Sequence, residues 1–421
     1  MRLKNKNILV YGIGKSGIAT IEFLKQKKAN IYCYDDNVKK FINGVVWIDE
    51  NQNVDFLDFA VVSPGIYDTK LIHKLLQAGV EIINDIELAS RFFKGKFIAI
   101  TGTNGKSTTT ALLEQILTFS GKKAVACGNI GVPILSLYSI DTKNTYYILE
   151  ISSFQLEKIK KFRPFIATVL NIETDHLNRH KNLENYANIK FFITKNQKKN
   201  DFLILNNDNS FNFKTKAHVL YFKKDCHLVN DDIYFKEQYV LNKNDIKLLG
   251  DKNLENVLAC VLISKLLEIE NQVISNAVKN FYGLEHRLEF VAVKNDICFY
   301  NDSKATNVAS TICALESFKD KNVILLLGGS DKGECYDPIF KYENISYIVC
   351  YGQTSNDIYN CALKNNFSNI EKADNLKNAY EKSLSKQGNV VLLSPACASY
   401  DEFSGFEERG RFFKELVGEK K

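Results

Sequence analysis

The stretch that decides the fold is "FIAITGTNGKSTTTALLEQIL", residues 97–117. An apolar run comes first, a glycine-rich polar segment follows, and a helix-like amphipathic run ends the stretch. This order predicts strand, loop and helix, which is the context that a phosphate-binding loop needs. In such a loop the backbone N–H groups at the helix N-terminus face the anion. Lys106 would add a positive charge, and the Ser107 hydroxyl would reach Mg²⁺.

We interpret this loop as an ATP-binding loop, although its two glycines lie two residues closer together than in the usual phosphate-loop pattern. A tight turn between a strand and a helix is the alternative. The adjacent lysine and serine favour the phosphate loop. The predicted ATP-binding residues here are Gly102, Thr103, Asn104, Gly105, Lys106, Ser107 and Thr108.

A second glycine-rich stretch, "GIGKSG" at residues 12–17, allows two interpretations. Its three glycines match a dinucleotide-binding turn, whereas Gly14-Lys15-Ser16 also matches the end of a phosphate loop. Two acids follow about 20 residues on, where a ribose-binding acid would lie, at Asp35 and Asp36. Alone, this pattern predicts a nicotinamide or flavin site, but the same fold binds other diphosphates equally well.

The whole chain alternates short apolar runs with helix-length amphipathic runs, which is typical of parallel sheets flanked by helices. The fold class is therefore α/β. Domains are predicted at residues 1–93, 94–283 and 284–421, with boundaries near "RFFKGK" and "FYGLEHRLEF". Strands are predicted at Asn7–Tyr11, Asn30–Tyr34, Phe59–Val62, Lys96–Ile100, Tyr146–Leu149, Ile166–Leu170, Val323–Leu327, Tyr347–Tyr351 and Asn389–Leu393.

Composition narrows the class of protein. The 421 residues are 45% hydrophobic and 25% charged, without an apolar run of about 18 residues or an N-terminal signal, so we expect a cytoplasmic protein with no membrane partner. Ten cysteines without a CxxC pair fit a reducing compartment. The net charge of +6 is spread along the chain with no basic and aromatic recognition motif, so we expect no nucleic-acid partner.

Eight motifs in order give the chain its resemblance to a known family. They are "TGTNGKSTTT" (101–110), "GNIGVP" (128–133), "LEISSFQLE" (149–157), "NIETDHLNRH" (171–180), "EHRLEF" (285–290), "NDSKATN" (301–307), "LLLGGSDKG" (325–333) and "LLSPACASYDEF" (392–403). Over nearly its whole length the chain resembles the Mur ligase family. The combination of "NDSKATN", "SPACAS" and "GIGKSG" resembles the D-glutamate-adding branch.

The resemblance implies a Rossmann-like N-terminal domain that holds UDP, a central P-loop ATPase-type domain with a parallel sheet that holds ATP, and a Rossmann-like C-terminal domain that holds the amino acid. It thus assigns "GIGKSG" to a diphosphate without redox chemistry. The residues implied for the UDP-substrate are Gly14, Lys15, Ser16, Asp35, Asp36, Ser63, Asn129 and His176.

The implied reaction adds D-glutamate to UDP-N-acetylmuramoyl-L-alanine. ATP phosphorylates the substrate carboxylate, and the amine then attacks the acyl phosphate, so cations are needed to stabilise negative charge. The implied catalytic residues are Lys106, Glu150, His176 and Lys190, and those at two Mg²⁺ sites are Ser107, Glu150, His176 and Lys190. Lys190 would carry a carbamate.

Two of these roles can be weighed from the residues alone. Glu150 ends an apolar strand, where a carboxylate suits Mg²⁺ better than packing, with a strand-end salt bridge as the alternative. A single lysine on a helix is usually a solvated surface residue, so the role of Lys190 comes from the resemblance.

The resemblance also implies contacts from the C-terminal third. ATP would be contacted by Asn253, Arg287, Asp302 and Lys304. The D-glutamate pocket would contain Thr306, Lys332, Ser399 and Phe406, with Lys332 pairing the side-chain carboxylate. The chain departs from the family pattern at two positions, where His and Asp are usual, namely Lys252 and Asn178.

Three alternatives stay open at this point. A ligase of the folylpolyglutamate synthase type shares the ATP loop but is not expected to carry the N-terminal UDP domain or "NDSKATN". A nicotinamide-dependent oxidoreductase is favoured only by the first glycine-rich turn. A non-catalytic ATP-driven binding module would need the loop without the other catalytic residues. We expect a monomer whose partners are small-molecule substrates.

Overall fold

The structure is a computed structural model that describes residues 2–37, 41–175, 177–330 and 333–418. By its internal contacts the chain divides into two compact units. Unit 1 is Met1–Asp245 with Glu255–Lys279, and unit 2 is Ile246–Leu254 with Asn280–Lys421. Three sheets lie in these units, two in the first and one in the second.

The first sheet is parallel and has the strand order β3-β2-β1-β4-β5. Its strands are β1 (Asn7–Tyr11), β2 (Asn30–Tyr34), β3 (Val46–Trp47), β4 (Phe59–Val62) and β5 (Glu81–Ile83). Its helices are α1 (Lys15–Gln26), α2 (Lys70–Gln77) and α3 (Asp85–Ser90). The first glycine-rich turn therefore connects the central strand β1 to α1, at the carboxyl edge of the sheet.

The second sheet has the order β14-β13-β12-β11-β10-β9-β6-β8-β7. Its strands are β6 (Lys96–Thr101), β7 (Ala124–Gly128), β8 (Tyr146–Glu150), β9 (Ile166–Val169), β10 (Phe202–Asn206), β11 (His218–Phe222), β12 (Cys226–Val229), β13 (Asp232–Phe235) and β14 (Gln238–Asn242). The accompanying helices are α4 (Lys106–Phe119), α5 (Ser153–Leu156), α6 (Leu177–His180), α7 (Leu183–Phe191), α8 (Asp251–Leu266) and α9 (Asn271–Lys279).

The third sheet has the order β15-β16-β20-β17-β18-β19. Its strands are β15 (Glu289–Lys294), β16 (Ile297–Asn301), β17 (Val323–Gly328), β18 (Ile345–Tyr351), β19 (Ile370–Lys372) and β20 (Val390–Leu393). Its helices are α10 (Val308–Glu316), α11 (Ser355–Lys364), α12 (Leu376–Ser383) and α13 (Phe406–Val417). The central strands β17 and β20 are buried on both faces, as expected for a sheet covered by helices.

The α/β class and every strand predicted from the sequence are confirmed, with ends that differ by at most two residues. The expectation of parallel sheets throughout is wrong at two places. β12, β13 and β14 pair antiparallel, and so do β15 and β16. The β15–β16 hairpin turns at Asn295 and Asp296, both at positive φ, which is the two-residue turn that suits antiparallel strands.

Within the described ranges, no helix is long and apolar enough to cross a membrane.

Candidate active site

The loop between β6 and α4 has the backbone of an anion-binding loop. Gly105 precedes α4 with φ of 82°, and a Cβ at this position would lie 2.2 Å from the Oδ1 atom of Asn256. Both the left-handed backbone and the close packing therefore require glycine. Gly105 makes no side-chain cap at the start of α4, which is the arrangement expected at a helix N-terminus that binds an anion.

Residues that follow β9 hold this loop in place through hydrogen bonds. The backbone N–H of Thr103 donates to the Asn171 carbonyl at 2.9 Å, and the N–H of Asn104 donates to Asn171 Oδ1 at 2.8 Å. The N–H of Glu173 donates to Thr103 Oγ1 at 2.9 Å. Asn171, Glu173 and Asn256 are not among the site residues predicted from the sequence. The signal for the first two was present, since they lie in the quoted motif "NIETDHLNRH".

Lys106 lies over the loop that precedes it. Its Nζ donates to the carbonyl oxygens of Gly102 and Thr103, at 2.9 and 2.7 Å. The next two side chains of α4, Ser107 and Thr108, are 8% and 7% exposed. The lysine charge and the serine hydroxyl predicted for the ATP loop are thus both held at the start of α4.

Glu150 is a buried carboxylate with one unsatisfied oxygen. It ends β8, pairs with Ile100 of β6 and is 2% exposed. Oε1 accepts a hydrogen bond from Asn129 Nδ2 at 2.8 Å, whereas Oε2 is buried and has no hydrogen-bond partner among the described residues. Buried carboxylate oxygens are normally hydrogen-bonded or bound to a cation. This oxygen therefore fits a Mg²⁺ ligand better than a strand-end salt bridge.

Asn129 is fixed beside Glu150 by the backbone. Its N–H donates to the Glu150 carbonyl at 2.9 Å, immediately after Gly128 at the end of β7. A Cβ at Gly128 would lie 2.4 Å from that same carbonyl oxygen, and φ there is 101°. The family resemblance implies a role for Asn129 at the UDP-substrate and for Glu150 at the metal, and the structure brings the two side chains into contact.

Lys190 is buried, so the solvated surface position usual for a single helical lysine is wrong for this residue. It is 1% exposed, its Nζ donates to the Gly102 carbonyl at 2.8 Å, and it lies 4.3 Å from the centre of the Tyr186 ring. Burial is the main cause that lowers the pKa of Lys190 to about 7, and the charge of Lys106 is the second. The charge of Asp175 acts in the opposite direction. A large share of the amine is therefore neutral near pH 7.

Two predicted residues, His176 and Lys332, lie outside the described residues. The side chain of Asn178, one of the two departures from the family pattern, is also not described. Among the residues that are described, no group of three or more His, Cys, Asp or Glu could hold a metal. The predicted ligand set does not need such a group, because it includes a serine hydroxyl and a modified lysine.

The first glycine-rich turn uses its glycines in different ways. A Cβ at Gly12 would lie 2.4 Å from Ser63 Oγ, and one at Gly17 would lie 2.0 Å from the Gly12 carbonyl oxygen. At Gly14, by contrast, no described atom lies within 4 Å of a Cβ. Gly14 precedes α1 with φ of −75°. The outer two glycines are needed for packing, and the space beside Gly14 is open to a ligand.

Acidic residues hold the same turn. Asp35 Oδ2 accepts the N–H of Ile13 at 2.6 Å, and Asp36 Oδ2 accepts the Tyr11 hydroxyl at 2.9 Å. Asp85, a residue without a predicted role, is 4% exposed, and burial raises its pKa, opposed by hydrogen bonds from the Ile86 backbone N–H and from Ser16. The signal for it was an acid at the first position of a helix, in "NDIELA".

In unit 2, Asp302 is buried where β16 ends. Its Oδ2 accepts the Ser394 hydroxyl at 2.8 Å, and its Oδ1 accepts the Leu288 N–H at 3.1 Å. Burial raises the pKa of Asp302 to about 7, with Arg287 among the opposing influences. Lys304 Nζ lies 5.6 Å from the centre of the Phe406 ring.

Arg409 positions the segments that carry Asp302 and Ser399. It is fully buried, and its guanidinium donates to the carbonyls of Ser303, Cys397 and Ala398 at 2.9 to 3.0 Å. Ser399 follows directly and is 2% exposed. Of the other predicted residues of unit 2, the Thr306 N–H donates to the Lys304 carbonyl at 2.9 Å, and Asn253 Nδ2 donates to the Leu249 carbonyl at 2.8 Å. Arg409 is not among the site residues predicted from the sequence.

Two family models match this chain. The Mur ligase middle domain matches residues 100–264, and the Mur ligase glutamate ligase domain matches residues 286–397. The chain belongs to the Mur ligase family. UDP-N-acetylmuramoylalanine--D-glutamate ligase of Caldicellulosiruptor saccharolyticus is 40% identical to it, over 100% of both chains. The Clostridioides difficile enzyme of the same name is 38% identical, over 99% of both.

Solved Mur ligases share the fold. UDP-N-acetylmuramate-alanine ligase MurC of Thermotoga maritima matches with a TM-score of 0.60 at 17% identity, over 99% of this chain and 100% of that one. MurF ligase of the same organism, solved in complex with ADP, matches with a TM-score of 0.59 at 14% identity, over 99% of this chain and 96% of that one. This Mur ligase therefore has the α/β architecture of its family.

Proposed function

We propose that this Mur ligase joins D-glutamate to UDP-N-acetylmuramoyl-L-alanine through an acyl phosphate, with conversion of ATP to ADP and phosphate, in the cytoplasmic synthesis of peptidoglycan precursors. The main structural support for this chemistry is the Oε2 atom of Glu150, which is buried and has no hydrogen-bond partner among the described residues. Glu150 is the last residue of β8 and pairs with β6, the strand that leads into the phosphate loop. The choice of substrates is supported by the full-length likeness to ligases named for this reaction.

Each residue around the phosphate loop would have a separate role in the phosphorylation of the substrate carboxylate. The N-terminus of α4 and Lys106 would bind the ATP phosphates. Ser107 and Glu150 would hold Mg²⁺, with Asn129 orienting the carboxylate through its 2.8 Å hydrogen bond. Bound there, Mg²⁺ supplies positive charge that stabilises the transferring phosphoryl group.

Lys190 would complete a second metal position as a carbamate. The neutral amine attacks CO₂ and releases one proton, which leaves an anionic carbamate in place of the amine. The lowered pKa of Lys190 supports this step, because the neutral amine is the form that reacts. His176 is proposed as its neighbour at this position, on the resemblance alone.

The other two parts of the chain would bind the substrates. Residues 1–93 would hold UDP, with its diphosphate in the open space beside Gly14, near Lys15, Ser16 and Ser63. The acids Asp35 and Asp36 would serve the uracil. Residues 284–421 would hold D-glutamate, chiefly through Lys332, with Thr306, Ser399 and Phe406. Arg287, Asp302, Lys304 and Asn253 are proposed for ATP, in a protein that acts as a monomer on small molecules.

A phosphate-release assay on the purified protein separates this function from its rivals. We expect release with UDP-N-acetylmuramoyl-L-alanine, Mg-ATP and D-glutamate, and background release when another amino acid replaces D-glutamate. A ligase of the folylpolyglutamate synthase type would release phosphate with a folate and L-glutamate instead. NADH binding that competes with UDP would favour an oxidoreductase.

A further inference from the structure

Two cysteines of unit 2 share one carboxylate. Cys335 Sγ donates to Asp337 Oδ2 at 3.1 Å, and Cys361 Sγ donates to Asp337 Oδ1 at 3.3 Å. The two thiols come from different parts of unit 2, because Cys335 lies between β17 and β18 and Cys361 lies in the last turn of α11. The two sulfurs are therefore held on either side of a single carboxylate, far apart in sequence and close in space.

Small molecules can reach this pair. Cys335 is exposed and Cys361 is half-buried, whereas most cysteines of the chain are buried. Both line an open cavity of about 480 Å³, together with Glu334, Asp357 and Lys364. Access is a condition for thiol chemistry, and few other thiols of this chain meet it.

Asp337 favours the protonated form of the Cys361 thiol. Hydrogen bonds from Asn365 and from the two thiols lower the pKa of Asp337 to about 2, so the carboxylate is charged at neutral pH. Burial and this neighbouring carboxylate raise the pKa of Cys361 to about 11. Because the thiolate is the reactive form, the carboxylate slows the reaction of Cys361.

We propose that Cys335 and Cys361 are a dithiol site that closes to a reversible disulfide with low-molecular-weight disulfides, and that Asp337 restrains this closure. The thiolate of Cys335 attacks one sulfur of the reagent, forms a mixed disulfide and releases one thiol. Cys361 then attacks the Cys335 sulfur, forms the protein disulfide and releases the second thiol. The disulfide would connect the segment between β17 and β18 to α11.

Peptide mapping of the full chain after treatment with oxidised glutathione tests the proposal. We expect a peptide that joins Cys335 to Cys361 and that dithiothreitol removes. Cys313, which is also exposed, should instead carry glutathione. Cys361→Ser should leave glutathione on Cys335, and Cys313→Ser should leave the bridge unchanged. A wild-type protein with glutathione on Cys335 and an alkylatable Cys361 would overturn the site.

The role of Asp337 has its own test. Asp337→Asn removes the anion at an exposed position. It should accelerate bridge formation from the mixed disulfide by about three- to fourfold for each unit by which the Cys361 pKa falls, because the thiolate fraction rises while the nucleophilicity of the thiolate decreases. The rate is measured by quenching with an alkylating reagent at intervals. Bridge formation at an unchanged or lower rate would overturn the restraint by Asp337.

Discussion

The amine of Lys190 donates a 2.8 Å hydrogen bond to the carbonyl oxygen of Gly102, the first residue of the phosphate loop. This bond joins α7 to the loop that would hold ATP. The Lys190 side chain is 1% exposed, so the bond holds its amine in a buried position against the loop, near the charge of Lys106. A lysine in this position is costly as a cation and is better suited to act as a neutral amine or, after reaction with CO₂, as an anion.

Lys190→Ala should abolish ligation, because it removes the group proposed at the second metal position. We expect a fall in kcat of at least about 10²-fold, the usual cost of losing one charge-stabilising group, with the Kd for the UDP-substrate nearly unchanged. Lys195→Ala, an exposed lysine of the same region, is the matched control and should keep full turnover. If the Lys190→Ala variant turned over at the rate of the wild-type protein, Lys190 would have no catalytic role.

The carbamate can be observed directly by ¹³C NMR. Wild-type protein equilibrated with ¹³C-bicarbonate near pH 8 should give a carbamate resonance, because most of the Lys190 amine is neutral above its pKa of about 7. Lys190→Ala should lack that resonance and Lys195→Ala should keep it. Identical spectra for all three proteins would exclude a carbamate at Lys190.

Glu150→Gln should raise the stability of the protein and lower its ligase activity. The amide keeps the oxygen that accepts from Asn129 and removes the charge of a buried, unpartnered carboxylate oxygen. In the absence of Mg²⁺ the variant should therefore be more stable by about 1 to 2 kcal/mol, while ligation should fall by at least about 10²-fold. Urea unfolding in EDTA and phosphate release measure the two effects. A variant that is both less stable and fully active would contradict the assignment.

Two alanine substitutions in the first glycine-rich turn should affect different properties, one the stability of the protein and the other its affinity for UDP. Gly17→Ala places a Cβ 2.0 Å from the Gly12 carbonyl oxygen and should destabilise the protein by about 2 to 4 kcal/mol. Gly14→Ala meets no described atom within 4 Å and should fold normally. It should nevertheless weaken UDP binding about tenfold, equal to about 1.4 kcal/mol, because its methyl group occupies the open space. Unchanged UDP affinity in Gly14→Ala would place the diphosphate elsewhere.

Asp302→Asn should stabilise the protein in a pH-dependent way. The folded-state pKa of Asp302 is raised from 3.8 to about 7, so its contribution to stability is complete below pH 3.8 and is lost as the pH rises to about 7. The asparagine variant does not suffer this loss. Its stability relative to wild type should increase between pH 4 and 7 by about 2 to 4 kcal/mol, measured by urea unfolding. A constant difference would contradict the raised pKa.

The central strands and the phosphate loop could be predicted from sequence because they depend on local patterns. β6, the glycines of the loop and the start of α4 form one continuous stretch, and buried strands such as β17 and β20 are unbroken apolar runs. The strands of residues 218–242 were missed because they are short and partly exposed, so their patterns lack such runs.

The residues that hold the loops of the site in place could not be predicted in the same way. Asn171, Asn256 and Arg409 act on loops that are distant in sequence, through hydrogen bonds or packing that no spacing rule specifies. The burial of Lys190 is also a tertiary effect, since α7 has only a weakly segregated apolar face. Residue types at motif positions were therefore identified, and the contacts among them were not.

Transfer of ¹⁸O from the substrate carboxylate to phosphate tests the central claim most directly. UDP-N-acetylmuramoyl-L-alanine labelled in the alanine carboxylate is incubated with Mg-ATP and either D-glutamate or L-glutamate, and the phosphate is analysed by mass spectrometry. With D-glutamate we predict one ¹⁸O in each phosphate released and a ligated product, and with L-glutamate only background release. Unlabelled phosphate, or equal release with L-glutamate, would contradict a D-glutamate ligase that acts through an acyl phosphate.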